Sequence, residues 1–150
     1  MSLFQFEEEF ADSLHCIPMA VRYKLDRCGI KLKLTHWNRF SQEERQVLLA
    51  LPGESSQDCD RFRDFLQTLV TEKTGAVAPE LAIDPHPPWL NGTDIPEGVQ
   101  DKASEFKRQL TPEQWQKLQP LQRFALIKLS RSSHENQNFL PALREFKLID

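Results

Sequence analysis

Five of the ten prolines, Pro79, Pro85, Pro87, Pro88 and Pro96, fall within the 24 residues from Gly75 to Gly98. Proline fixes its own φ, lacks an amide donor and turns the preceding residue away from helical geometry, so no regular helix crosses this stretch. Leu81, Ile83, Trp89 and Leu90 are interspersed with the prolines. Apolar side chains at that density point to an ordered strap over about residues 76–98, lying across helices, and long loops of this kind often carry function. On either side the pattern is helical. The expected architecture is therefore all-α: a single domain over 1–150, a bundle of about six to eight helices in two halves joined by the strap.

In the first half, Ile17, Val21, Leu25 and Cys28 form one apolar stripe with Arg22, Asp26 and Arg27 off it, the signature of an amphipathic helix. Pro18 suits its first turn and Gly29 a left-handed stop. Lys31-Leu32-Lys33-Leu34 alternates and reads as a short extended link. Thr35 then opens a helix carrying Trp37 and Phe40, and Ser41-Gln42-Glu43-Glu44 is a capping box leading into Val47, Leu48 and Leu51, ended by Pro52-Gly53. A helix from about Gln57 to Thr74 follows, burying Phe62, Phe65, Leu66, Leu69 and Val70, with Gly75 as its stop. In the second half Val99, Ala103, Phe106 and Leu110 make a stripe, Thr111-Pro112-Glu113-Gln114 is a second capping box, Pro120 opens a helix through Leu129, and Phe139, Ala142, Leu143 and Phe146 make a last short one.

One pattern occurs twice. Trp37-x-x-Phe40-x-x-x-x-Arg45-x-x-Leu48-Leu49-x-Leu51 returns 78 residues later as Trp115-x-x-Leu118-x-x-x-x-Arg123-x-x-Leu126-Ile127-x-Leu129. Each copy reads as a short helix, a turn and a longer helix. A packing solution shared by two helical hairpins is favoured over two related docking surfaces.

At 150 residues and 27% charged, with no apolar run near the roughly 18 residues a membrane span needs, the chain has the composition of a globular, non-membrane protein. The N-terminus Met1 to Glu9 shows neither the basic nor the apolar region of a secretory signal, so a cytoplasmic location is expected. Asn91-Gly92-Thr93 then reads as a plain turn rather than a glycosylation site. The net charge of −3 is unevenly distributed: residues 22–39 carry Arg22, Lys24, Arg27, Lys31, Lys33 and Arg39 against Asp26 alone, while residues 40–98 sum to −7. Such segregation suits a steered protein partner and, with the acidic total, argues against nucleic acid. The weakest alternative is a nucleic-acid regulator using Arg123, Lys128 and Arg131.

Three cysteines, an odd number with no C-x-x-C spacing, suit a reducing compartment better than a disulfide framework. A helix between Cys16 and Cys28 holds them roughly 15 to 18 Å apart. That is far beyond the reach of a disulfide or of one shared zinc. Cys28 falls on the apolar stripe, where a buried small hydrophobe is expected, and Cys16 stands near a helix N-terminus, where a thiolate is favoured. His15, His36, His86 and His134 follow no metal-ligand spacing, so a site combining His15, Cys16, Cys59 and His134 would need tertiary coincidence. With five glycines and no phosphate loop or nucleophile elbow, no catalytic, cofactor or metal residue is assigned and an enzyme is not expected. Candidate partner-binding residues are Cys16, Arg22, Trp89 in the strap, and His134, Glu135, Asn136 and Asn138 in the polar turn before the last helix.

The segments FEEEFADSLHCIPMAVRYKLDRCGIKLKLTHW (Phe6 to Trp37) and LQRFALIKLSRSSHENQNFLPALREF (Leu121 to Phe146), with the spacing between them, resemble the nitrate reductase associated proteins, small proteins met mainly in cyanobacteria beside nitrate assimilation and molybdenum cofactor genes. The resemblance spans nearly the whole chain. It departs at Gly53, where relatives commonly carry a cysteine after Leu51-Pro52, which removes that position as a metal ligand. What it implies is association with assimilatory nitrate reductase; together with the absence of any chemical motif, the expectation is an accessory or maturation role exerted through protein contact, with no cofactor. The alternative is a carrier of metal or molybdenum cofactor through Cys16 and the histidines.

Overall fold

A computed structural model describes residues 3–8, 16–131 and 136–149. Among them the fold is all-α: eight α-helices, three short 3-10 turns and no strand, with one isolated antiparallel bridge between Ile30 and Glu80. The chain forms two compact units, Met1–Asp84 and Pro85–Asp150, whose boundary falls inside the expected strap.

In the first unit, α1 (Met19–Cys28) is followed by the short α2 (Leu34–Asn38), α3 (Gln42–Ala50) and the long α4 (Ser56–Thr74). Pro18 is the N-cap of α1 in extended geometry, and its carbonyl accepts from the amides of Val21 and Arg22. Glu7, in the 3-10 turn Gln5–Glu7, reaches across and accepts from the Met19 amide at 2.7 Å, placing a carboxylate on the positive end of the helix. Gly29 ends α1 at φ 78°, and a Cβ there would lie 2.9 Å from the Leu81 carbonyl oxygen. Glycine is thus required both for the left-handed stop and for the approach of residues 76–84. That segment is tied down by the amide of Lys31 on the Pro79 carbonyl, by Leu81 on Gly29, and by the Gln67 side chain, which both donates to and accepts from Ala78. Ser41 and Ser55 build capping boxes with Glu44 and Asp58. The core comprises Val21, Leu25, Cys28, Ile30, Trp37, Phe40, Leu48, Phe62, Leu66, Leu69, Val70 and Ala78.

In the second unit the 3-10 turn Pro88–Leu90 precedes α5 (Glu97–Glu105), α6 (Pro112–Lys117), α7 (Pro120–Arg131), the 3-10 turn Asn136–Asn138 and α8 (Phe139–Glu145). Trp89 is buried, its ring meeting Phe124 edge-on at 5.1 Å between centroids. Asn91 closes the expected turn: its Oδ1 accepts from the amides of Thr93 and Asp94.

The two units follow one backbone plan. Ile17-Pro18-x-x-Val21-x-x-Lys24 has its counterpart in Ile95-Pro96-x-x-Val99-x-x-Lys102 at the same 78-residue offset as the tryptophan pattern. Pro18 and Pro96 are both N-caps, each accepting from residues three and four further on. Gly29 and Lys107 are the matching left-handed residues (φ 78° and 59°), and the amide after each returns to Leu25 or Ala103 at 3.0 Å. The Nε of Arg45 donates to Trp37, and that of Arg123 to Trp115, each at 3.1 Å. Both tryptophans are fully buried. With one residue fewer in the interval, Phe62, Leu66 and Leu69 of α4 correspond to Phe139, Leu143 and Phe146 on and just after α8, all buried.

Candidate functional site

Among the described residues, one face of α1 brings together Lys24, Arg27 and Cys28 at i, i+3 and i+4. All three reach the junction between α3 and α4. The Lys24 side chain is fully buried, and its Nζ donates to the carbonyls of Leu48, Leu49 (3.0 Å) and Leu51 (2.6 Å) while lying 5.3 Å from the centre of the Phe62 ring. Pro52 stops α3 early, so the final carbonyls of that helix lack amide partners, and an ammonium with three donors satisfies them. Burial pushes the pKa of Lys24 down to about 8. Gly53 is forced by the same packing, since a Cβ there would lie 2.5 Å from Cγ of Lys24.

One turn further, Arg27 donates from Nε to the Gly53 carbonyl at 2.7 Å and from its terminal nitrogen to Glu54. Cys28 closes the corner through a disulfide to Cys59 in α4, with Cα atoms 5.1 Å apart. This corrects the sequence expectation that Cys28 is a buried thiol and that the cysteines form no disulfide. Cys28 is indeed buried on the apolar stripe, but the packing of α1 on α4 brings up a partner 31 residues away, which no local spacing reveals. Arg63, one turn beyond Cys59, donates to the Cys28 carbonyl at 3.2 Å. Cys59 is partly exposed.

The second unit shows what this corner is without such groups. Phe106 takes the place of Cys28, and its ring stacks on Phe139 at 6.2 Å. Because α7 runs on to Arg131, the helix end that Lys24 serves in the first unit has no counterpart. Lys102, matching Lys24, instead pairs with Glu105 at 2.7 Å. The buried cation here is Arg123, whose guanidinium donates to the carbonyls of Trp115, Trp89, Gln116 and Leu118 at 2.8–3.2 Å.

Of the residues singled out from sequence, Cys16 and Arg22 belong to the first unit and Trp89, Asn136 and Asn138 to the second. Cys16 is half-buried and is the one free cysteine. Arg22 is turned back on its own segment, donating from Nε to the Ile17 carbonyl at 2.8 Å. Trp89, a candidate partner-binding residue, is 9% exposed and packs in the second unit against Phe124. His134 and Glu135 lie outside the described residues, as does His15; Asn136 begins the 3-10 turn, and Asn138 stands at the N-cap of α8. Of the cations considered for nucleic acid, Arg123 faces inward, Lys128 lies 5.3 Å from the centre of the Phe124 ring and Arg131 is exposed. Among the described residues no three His, Cys, Asp or Glu side chains are placed to hold a metal, and the disulfide occupies the sulfur of Cys59, one of the four ligands considered. No helix among them is long and apolar enough to cross a membrane.

Sequence reasoning missed the Lys24 collar. Its only signal was a lysine directly beside the apolar stripe. Residues 3–146 match a family model described as conserved nitrate reductase-associated protein. No curated protein and no solved structure was found to match the chain.

Proposed function

Since the chain belongs to the conserved nitrate reductase-associated protein family, we propose that it is an accessory or maturation protein for assimilatory nitrate reductase, acting through protein contact in the cytoplasm. The family assignment supplies the partner and carries the reading. The interior chemistry supports the mode of action: the two buried cations, Lys24 and Arg123, are committed to backbone carbonyls within their own units and hold helix ends and turns in shape. What such a protein offers a partner is its outer surface. The N-cap and C-cap of α2, Lys33 and Arg39, flank His36, and burial together with these two cations lowers the His36 pKa. Leu34 is 47% exposed beside them. Positive charge around an apolar side chain suits an acidic protein surface.

The test is made in the native host. Affinity purification of the tagged full chain should recover nitrate reductase, with recovery falling in a Lys33→Glu/Arg39→Glu variant. Deleting the gene should lower nitrate reductase activity. A deletion strain with undiminished activity would remove the reading.

A further inference from the structure

We propose that the Cys28–Cys59 bond is a reversible thiol–disulfide exchange site, opened and closed by a dithiol partner that attacks the sulfur of Cys59. Three observations carry this inference, and none depends on nitrate reductase being the partner.

The first is the asymmetry of the pair. Cys28 is 0% exposed, whereas Cys59 is partly exposed in the second turn of α4. Exchange requires a thiolate to approach one sulfur with the other as leaving group, so access selects Cys59 as the sulfur attacked and Cys28 as the one released.

The second is that the fold closes the same corner without sulfur. In the second unit, built on the same plan, Phe106 occupies the position of Cys28 and stacks on Phe139, the counterpart of Phe62, while Asn136 stands at the position of Cys59. The shared plan is thus built once with a disulfide at this helix end and once without one.

The third is that the corner has other attachments that survive reduction. The Lys24 collar on the end of α3, Arg27 on the Gly53–Glu54 turn and Arg63 on the Cys28 carbonyl are all independent of the sulfur bond. Opening the bond loosens the end of α1 from the start of α4 while the surrounding elements stay seated.

The chemistry balances with a dithiol as the reductant. Its thiolate attacks Sγ of Cys59; the Cys28–Cys59 bond breaks, a mixed disulfide forms on Cys59, and the electron pair leaves on Cys28, which takes a proton in its buried site. The second thiol of the reductant then attacks the mixed disulfide at the reductant's own sulfur. Cys59 leaves as a thiol and the reductant departs as its internal disulfide. Two electrons and two protons pass from the dithiol to the cysteine pair, and oxidation runs the same steps in reverse.

The experiment uses the full chain without denaturant, incubated with dithiothreitol at increasing concentration, quenched in acid, alkylated and weighed by mass spectrometry. The oxidised protein should take one label, at Cys16, and the reduced protein three. The reduction rate should rise in proportion to dithiothreitol, and removing the reductant in the presence of oxidised dithiol should restore the one-label state. In separately folded variants, Cys59 of Cys28→Ser should alkylate at least about tenfold faster than Cys28 of Cys59→Ser, following exposure. The wild-type kinetics decide the matter if a variant fails to fold. A rate that levels off at the rate of global unfolding would make the bond a fixed structural staple and overturn the proposal. A protein that takes three labels even after oxidation would overturn it too.

Discussion

Lys24 shows how a single buried charge is held by backbone carbonyls, with no counterion among the described residues. Three carbonyls at the end of α3 take its three protons, and deleting it strands buried acceptors whose desolvation is no longer compensated. Lys24→Met, which keeps the packing volume, should lower unfolding free energy by about 2–3 kcal/mol in a urea titration at neutral pH. The pH dependence has a definite sign. The lysine pKa is about 8 in the folded chain and 10.5 in its ordinary state, so between these values the unfolded chain binds the extra proton. Stability from this group is therefore lowest below about pH 8 and rises toward 10.5. The urea midpoint should increase between about pH 7.5 and 9.5 in the wild type, and this increment should vanish in Lys24→Met. Gly53→Ala probes the same contact from the other side. Its new Cβ meets the Lys24 stem, and a loss of about 1–3 kcal/mol is expected by the same titration.

Among the elements, the two tryptophan hairpins allow a matched comparison. Arg45 and Arg123 make the same bond to the carbonyl of their tryptophan, but Arg123 is buried and also serves Trp89, Gln116 and Leu118. Arg123→Ala should cost about 3–5 kcal/mol and Arg45→Ala about 1 kcal/mol, measured as paired denaturation curves. Equal losses would show that the extra carbonyls contribute nothing. The helix starts carry the acid response. Backbone amides at Ser41 and Ser55 hold the carboxyls of Glu44 and Asp58 below their ordinary 4.5 and 3.8. Their contribution is complete above those values and is lost as pH falls through the lower native ones. Glu44→Gln/Asp58→Asn should flatten the decline in urea midpoint between about pH 5 and 2.5 while keeping the caps as hydrogen-bond acceptors. The helix boundaries themselves were legible because a cap, a stop and an apolar stripe all act within one or two turns: Ser41, Gly29, Gly75 and Thr111 were each read in the role they fill. Two boundaries were misread: the short α2 begins at Leu34 with Lys33 as its N-cap rather than at Thr35, and the stripe read from Val99 to Leu110 leaves the helix after Glu105, where Lys107 turns left-handed.

For the whole molecule, the disulfide closes a loop of 31 residues that contains α2, α3 and the junction served by Lys24. Chain-entropy arguments give such a closure about 3–4 kcal/mol. Cys59→Ser should show that deficit at equilibrium, with hydrogen-exchange protection reduced between residues 28 and 59 and little changed in the second unit. Protection falling equally in both units would contradict a local role for the bond. The repeated plan was only partly legible. The Trp–Arg–Leu pattern stood out as letters, whereas the Ile-Pro-x-x-Val-x-x-Lys segment gained its meaning from matching caps and left-handed stops in the backbone.

The sequence by itself determined the helices, because capping hydroxyls, prolines, glycines and stripe spacing act over a few residues and need no distant partner. It also located the stretch without α-helix between α4 and α5 and one repeated hairpin. Only the tertiary structure decided that Cys28 bonds to Cys59, that Lys24 collars the end of α3, that Trp89 is buried on Phe124 and that Arg123 turns inward. The Cys28, Lys24 and Trp89 contacts join residues 24 to 35 positions apart, and Arg123 reaches as far as Trp89, so each depends on how helices pack, which local periodicity leaves open.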